Sequence, residues 1–253
     1  MSNFPPLAPS LYHAHHLLRA DDLPFWQSLA NEYGAPLLEL GCGTGRLLLP
    51  LAQHLHPLTG LDADPQMLAY LRASLPPTGY PHLQLHQADM RAFHLPERFK
   101  LVILPCNTYS TFPGPEREQI AQSVVRHLHP GGMFALSIPN PQLLASLEPF
   151  SPFEQEETFP HPETSAPVEV FSQWEKTAEI ITFTWRYDHK LPNSSTHSQF
   201  AITHHHLDTP EMYLDELQRA GLIPLQTFGD YHRTPFDPDE SAYFIILAQK
   251  QNT

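Results

Sequence analysis

Cysteine, basic charge and long apolar runs are all scarce in this 253-residue chain. There are two cysteines, Cys42 and Cys106. Two thiols give no disulfide framework, and both fall where a strand is expected to end, which suits a reducing cytoplasm. No cysteine cluster has zinc-ligand spacing, so no metal is expected. Lys and Arg number 14 against 27 Asp and Glu, a formal charge of −13. Proteins that grip nucleic acid carry a basic surface, because phosphate contacts dominate their affinity. This balance therefore disfavours DNA or RNA as substrate. No apolar run reaches the roughly 18 residues of a membrane span. The opening stretch Met1-Ser2-Asn3-Phe4-Pro5-Pro6 has no basic region followed by an apolar core, so no signal peptide is expected.

What is present fits a globular protein. Hydrophobic residues make up 41% and aromatics 11%, enough for one large domain or one domain with an elaboration. Residues 1–10 read as a proline-rich arm. From Leu11 to Tyr33, Leu17, Leu18, Phe25, Trp26 and Leu29 fall on apolar helical faces. Asp21-Asp22 can cap a second helix with Pro24 in its first turn, and Gly34-Ala35-Pro36 stops it. Strands are expected at 37–40, 58–62, 82–86, 100–104 and 133–138, and helices at 46–54, 65–74 and 116–127. Such alternation implies parallel pairing and right-handed crossovers.

The pattern changes near Asn140. Residues 141–165 read as a loop with room for one short helix. Residues 168–174, 179–188 and 196–206 read as strands of a two-faced antiparallel sheet, with Thr182, Thr184 and Arg186 alternating against Phe183, Trp185 and Tyr187. Thr209-Pro210 opens a helix that Gly221 ends, and 222–228 and 243–249 are two last strands. The expected division is a core over 1–140 with its N-terminal helices, an inserted sheet over 141–208, and a final helix and hairpin over 209–253.

The stretch Leu37-Leu38-Glu39-Leu40-Gly41-Cys42-Gly43-Thr44-Gly45-Arg46 joins a strand, a glycine turn and a helix start. Glycines let backbone approach a ligand, and the helix end offers free N–H groups. The spacing is G-x-G-x-G, not the G-x-G-x-x-G of dinucleotide folds, and no Gly-Lys-Ser/Thr ending marks a phosphate loop. Glu39 in front of the turn repels a pyrophosphate and suits a cationic amino acid. Asp62, at the end of the second strand, is placed to accept both ribose hydroxyl hydrogens, and Asp89, one strand over, an adenine amino group. A ligand with an adenosine, an amino group and a sulfonium charge matches all three carboxylates.

These residues resemble a known family. Glu39-Leu-Gly-Cys-Gly-Thr-Gly45, Gly60-Leu-Asp-Ala-Asp64-Pro-Gln-Met67, Gln87-Ala-Asp-Met90 and His129-Pro-Gly-Gly132 look like the successive motifs of class I S-adenosylmethionine-dependent methyltransferases. The resemblance covers roughly residues 12–140. It implies an α/β fold with a Rossmann-like, seven-stranded, mostly parallel sheet, helices on both faces and an antiparallel last strand. It also implies S-adenosyl-L-methionine as cofactor, with Glu39, Gly41, Cys42, Gly43 and Gly45 at the methionyl part. Asp62 falls at the ribose hydroxyls and Asp89 and Met90 at the adenine, with Ala63, Met67 and Pro105 as further cofactor-binding residues. Where the family often has Ser, this chain has Asp64.

The expected activity is methyl transfer to the N or O of a small molecule by in-line displacement. A protein methyltransferase, an RNA methyltransferase against the acidic charge, and a cofactor-binding protein without turnover are the alternatives. Tyr12, Tyr109 and His204 are the candidate catalytic residues, and His16, Asn107, His206, Tyr231 and Arg233 the candidate acceptor residues. His204 and His206 share one face of a strand and His205 the other. The expected partner is a small-molecule acceptor, with the chain a monomer or a homodimer.

Overall fold

The structure is a computed structural model that describes residues 6–55, 57–191 and 195–251. The first five residues of the expected proline-rich arm lie outside the described ones. The chain forms two compact units: Asp21–Ala145 with Asp208–Thr253, and Met1–Ala20 with Ser146–Leu207.

The larger unit is built on a seven-stranded sheet. Its strands are β1 (Leu37–Leu40), β2 (Leu58–Asp62), β3 (Leu83–Gln87), β4 (Phe99–Leu104), β5 (Leu128–Pro139), β10 (Leu222–Phe228) and β11 (Tyr243–Lys250). Their order is β10-β11-β5-β4-β1-β2-β3. β11 runs antiparallel to both β5 and β10, and the other pairs are parallel. All four residues of β1 are buried, as a central parallel strand requires. α2 (Leu23–Tyr33), α3 (Leu48–Ala52), α4 (Pro65–Ala73), α5 (Gly114–His127), α6 (Pro141–Ser146) and α7 (Pro210–Arg219) complete the unit. Two apolar cores form, one around Leu38, Val102, Phe134 and Tyr213, the other around Trp26, Leu37, Ile103 and Leu247.

The smaller unit is a four-stranded antiparallel sheet in the order β6 (Glu154–Pro160), β7 (Pro167–Lys176), β8 (Ile180–Lys190), β9 (Thr196–His206), with α1 (Pro9–Leu17). Leu11 packs with Phe159, Val168, Val170 and Tyr187. Buried His15 is bonded at both ring nitrogens, to the Tyr187 hydroxyl (2.7 Å) and to Glu157 Oε1 (2.6 Å). The sequence reading groups α1 with the nucleotide core; these contacts place it within the smaller unit. The reading also leaves 154–160 as loop, where the structure forms β6. Its residues Glu-Gln-Glu-Glu-Thr-Phe-Pro are mostly exposed on an edge strand, so one buried residue, Phe159, is all the apolar pattern the strand carries.

In the larger unit α5 and α7 are joined through one buried guanidinium. Arg117 is fully buried, donates to Glu216 (2.8 and 2.7 Å), Asp208 (2.6 Å) and the Phe112 carbonyl (2.7 Å), and lies over the Tyr213 ring at 4.5 Å. Removing one partner of such a pair strands the other charge. Arg117→Ala is therefore expected to lower stability by about 3–5 kcal/mol. The double replacement Arg117→Met with Glu216→Leu is expected to recover most of that loss, with urea unfolding as the measurement.

Candidate functional site

The strand order reverses between β1 and β4, and the carboxyl ends of β1, β2 and β4 meet there, the position at which open α/β sheets hold ligands. The turn after β1 carries three glycines with positive φ, at 67° for Gly41, 51° for Gly43 and 84° for Gly45. At Gly45 any Cβ would also lie 2.3 Å from Leu71 Cδ1, so glycine is required twice over. The Gly43 N–H donates to Asp62 Oδ2 (2.7 Å), and the Asp64 N–H to Asp62 Oδ1 (2.8 Å). Asp64, not Asp62, caps α4, accepting from the Gln66 and Met67 N–H groups. Asp64 thus does the capping work of a Ser, and Asp62 is left to brace the turn.

A buried ion pair holds this turn to its neighbours. Arg46 donates to both oxygens of Asp22 (2.5 and 2.7 Å) and to Cys106 Sγ (3.0 Å). Asp22 stands at the head of α2 and Cys106 follows β4, so one guanidinium ties three segments. The expected capping role of Asp22 does not hold: its side chain caps nothing and serves Arg46 and the Trp26 indole N–H instead. The clamp was legible only as a charged residue inside Gly-Arg-Leu-Leu-Leu, an arginine that needs a partner. After β4 the chain takes two successive left-handed residues, Cys106 (φ 61°) and Asn107 (φ 60°). Each costs of order 1–3 kcal/mol in a non-glycine residue, a strain that concentrates at functional sites.

Glu39 lies beneath the turn, 3% exposed. Its Oε2 is buried and has no hydrogen-bond partner. Burial pushes the carboxyl up to about 8, Arg46 pulls against it, and Asp22 and Asp62 add to the rise. Glu39 thus feels two neighbouring acids and one guanidinium, an arrangement suited to a cation. Asp62 is also raised, chiefly by burial and against the N–H groups of Asp64 and Gly43. Cys42 is 3% exposed and its thiol is pushed up by burial, so it packs and does not attack.

The remaining expected residues divide between the two units. Met90 sits beside the turn, its Cε 3.5 Å from where a Cβ on Gly41 would be. Pro105 is buried, Met67 half-buried and Ala63 exposed. The Asp89 carboxylate is held by Arg91, whose hydrogen bonds lower it, and Arg91 also reaches Glu116 (2.6 Å). Tyr109 is withdrawn from the catalytic set: it is fully buried and its hydroxyl donates to the Arg117 carbonyl (3.2 Å). Arg233 is withdrawn from the acceptor set, since its guanidinium lies on α2, donating to Ser28 Oγ (3.1 Å) and Glu32 (2.8 Å). Tyr231 packs against Phe25 and Tyr243 and donates to Ser137 Oγ (3.4 Å). Tyr12, His16, His204 and His206 all belong to the smaller unit. There Tyr12 stacks on His16 at 3.8 Å, and exposed His204 meets Thr182 Oγ1 at 2.8 Å. His205, on the opposite face, is buried, and its imidazole is pushed down to about 4 by burial and by its two histidine neighbours. No group of three metal-ligating side chains is found among the described residues.

Glu39 binds its proton more tightly in the folded chain than in the unfolded one. Its contribution to stability is therefore present below its unfolded value near 4.5 and is lost as pH rises toward 8. Between these pH values, wild type is expected to lose stability relative to Glu39→Gln, whose difference from wild type changes by up to about 1.4 kcal/mol per pH unit. Thermal unfolding of ligand-free protein across pH 5–8 checks this.

Comparison with known proteins agrees with this geometry. Residues 37–132 match the family model described as a methyltransferase domain. Over 103 residues the chain is 34% identical to a phosphatidylethanolamine N-methyltransferase of Cereibacter sphaeroides, covering 40% of this chain and 49% of that protein. Over 98 residues it is 33% identical to a dTDP-3-amino-3,4,6-trideoxy-alpha-D-glucopyranose N,N-dimethyltransferase of Streptomyces venezuelae, covering 38% and 39%. The chain thus spans about half the length, or less, of these curated relatives. Its fold is similar to that of an S-adenosylmethionine-dependent methyltransferase from Clostridium acetobutylicum, with a TM-score of 0.79 at 15% identity over 93% of this chain and 95% of that one. The family match is confined to residues 37–132, the part of the chain that carries the glycine turn and its carboxylates.

Proposed function

We propose that the protein transfers the methyl group of S-adenosyl-L-methionine to the N or O of a small-molecule acceptor. The observation that carries this reading is Glu39, whose buried and unpartnered Oε2 lies under the glycine turn. A buried polar atom without a partner is rare in a native protein and calls for a ligand. The ammonium of a cationic amino acid supplies the donor that Oε2 lacks. The N–H groups and positive-φ backbone of Gly41–Gly45 suit the rest of the methionyl part. Asp62, with both oxygens already aligned by backbone N–H groups, accepts the two ribose hydroxyls, and Asp89 with Met90 flanks the adenine.

When bound, the cofactor supplies an activated methyl on sulfur, so the protein's part is to position the acceptor and exclude water. Asn107, in the strained turn after β4, is the core unit's own residue for the acceptor side. Both curated relatives described above are named for transfer to nitrogen, one on a phospholipid and one on an amino sugar, which supports a small-molecule acceptor.

Calorimetry with S-adenosyl-L-methionine tests the reading. Wild type is expected to bind, and Asp62→Ala to weaken binding by about 1–3 kcal/mol through loss of the ribose hydrogen bonds. Absence of binding at millimolar cofactor would sink the proposal, and unchanged affinity in Asp62→Ala would move the ribose elsewhere.

A further inference from the structure

Among the described residues, four buried side-chain atoms have no hydrogen-bond partner, and the larger unit holds two of them: Glu39 Oε2 and Asn107 Oδ1. They differ in kind. Glu39 is ionisable and matches a cation, so the ammonium of the cofactor satisfies it. Asn107 offers a neutral amide oxygen, and the cofactor groups assigned above leave it without a donor.

Asn107 is unusual for a second reason. It occupies the cap position of a short 3-10 turn, Thr108–Thr111, where an asparagine oxygen ordinarily accepts a backbone N–H. Here it caps nothing. The backbone is bent into the left-handed region at Cys106 and again at Asn107, and the Asn107 carbonyl is fixed by Ser110 Oγ (3.0 Å). Cys106 is in turn tied to Arg46, directly after the glycine turn, and Thr108 Oγ1 lies 3.9 Å from where a Cβ on Gly41 would be. The strained loop therefore stands against the methionyl site with its one amide oxygen withdrawn from local use.

The rest of the loop contains no base. Cys106–Thr111 has no carboxylate and no imidazole. The hydroxyls of Thr108, Ser110 and Thr111 donate to backbone carbonyls of the same loop, and that of Tyr109 to the Arg117 carbonyl. A hydroxyl acceptor needs a base to remove its proton, whereas a neutral amine attacks with a lone pair it already has. An amide oxygen cannot deprotonate a hydroxyl, but it can accept one N–H of an amine and turn its lone pair toward the sulfonium.

We infer that Asn107 Oδ1 is the orienting acceptor for an N–H of the methyl acceptor, and that the substrate is a primary or secondary amine. This rests on the methyltransferase reading above and narrows it from N or O to N. The amine lone pair forms the N–C bond while the C–S bond breaks with its electron pair to sulfur, which becomes a neutral thioether. The resulting ammonium then loses one proton to solvent. A tertiary amine has no N–H for Asn107, so transfer ends when the last N–H is replaced.

The test uses wild type, Asn107→Gly, which keeps the left-handed turn, and Asn107→Asp, which keeps the shape. Release of S-adenosylhomocysteine is measured over a panel of primary, secondary and tertiary amino sugars and alkylamines with their hydroxyl counterparts, alongside calorimetry with S-adenosyl-L-methionine. Turnover is expected only with amines that carry an N–H. Asn107→Gly is expected to lower kcat/KM by about 10- to 100-fold while cofactor Kd and thermal unfolding stay close to wild type. Asn107→Asp is expected to hold the amine as its ammonium, so activity falls at neutral pH and recovers as pH rises. The inference is overturned if wild type binds cofactor but turns over hydroxyl or tertiary amine substrates in preference, or no N–H amine at all. Equal activity in Asn107→Gly, or a loss of cofactor affinity as large as the loss of turnover, overturns it as well. Failure of wild type to bind cofactor overturns the methyltransferase reading first, and is separable from all of these.

Discussion

The ion pair between Arg46 and Asp22 is the contact on which the ligand end of the sheet depends. The glycine turn has three left-handed glycines in five residues, with only Cys42 and Thr44 to pack beneath it. Its shape is set from outside, by the Asp62 carboxylate below and by Arg46 at its exit. Arg46 reaches the head of α2 through Asp22 and the loop after β4 through Cys106. A buried pair of this kind adds little net stability, because desolvation offsets most of its attraction. Its contribution is geometric, since it fixes where three chain segments stand relative to one another. The charge also matters: around Glu39 the Arg46 guanidinium is set against the carboxylates of Asp22 and Asp62, a balance that favours a cationic ligand.

Much of this end of the molecule was legible in the sequence, because the signals are local. Strand, turn and helix start are contiguous in Leu37–Leu49, and the acid at the end of the next strand is read from position alone. Asp62 and Asp64 lie side by side, yet their division of labour was not legible: which one caps α4 and which one braces the turn depends on backbone direction. The Asp22–Arg46 pair was missed for a different reason. Its partners are 24 residues apart, and an acid before a helix ordinarily reads as a cap. Arg233 and Tyr109 failed as site residues in the same way, since a polar side chain in a loop near the site says nothing about which way it turns. β6 was hidden because an exposed edge strand needs little apolar pattern, and its Glu157 is spent on His15.

Strain and unsatisfied bonding were invisible in the sequence, and these separate the groups that await a ligand from those that support the fold. Arg117, Asp22 and Asp89 are charged but fully engaged, so their energies are closed within the protein. Glu39 and Asn107 are open: one raised toward neutrality by burial, the other diverted from the cap it occupies. The remaining open atoms, His189 Nδ1 and Thr203 Oγ1, lie in the smaller unit. Their registers, His189 opposite His197 and Phe183 opposite Thr203, put both on the face of that sheet that carries Tyr187 and meets α1. Among the described residues, the buried side-chain atoms without a partner thus fall at one end of one sheet and on one face of the other. The charged atom and the neutral one of the larger unit suit different donors. The cationic methyl donor and the amine acceptor proposed above offer those two donors.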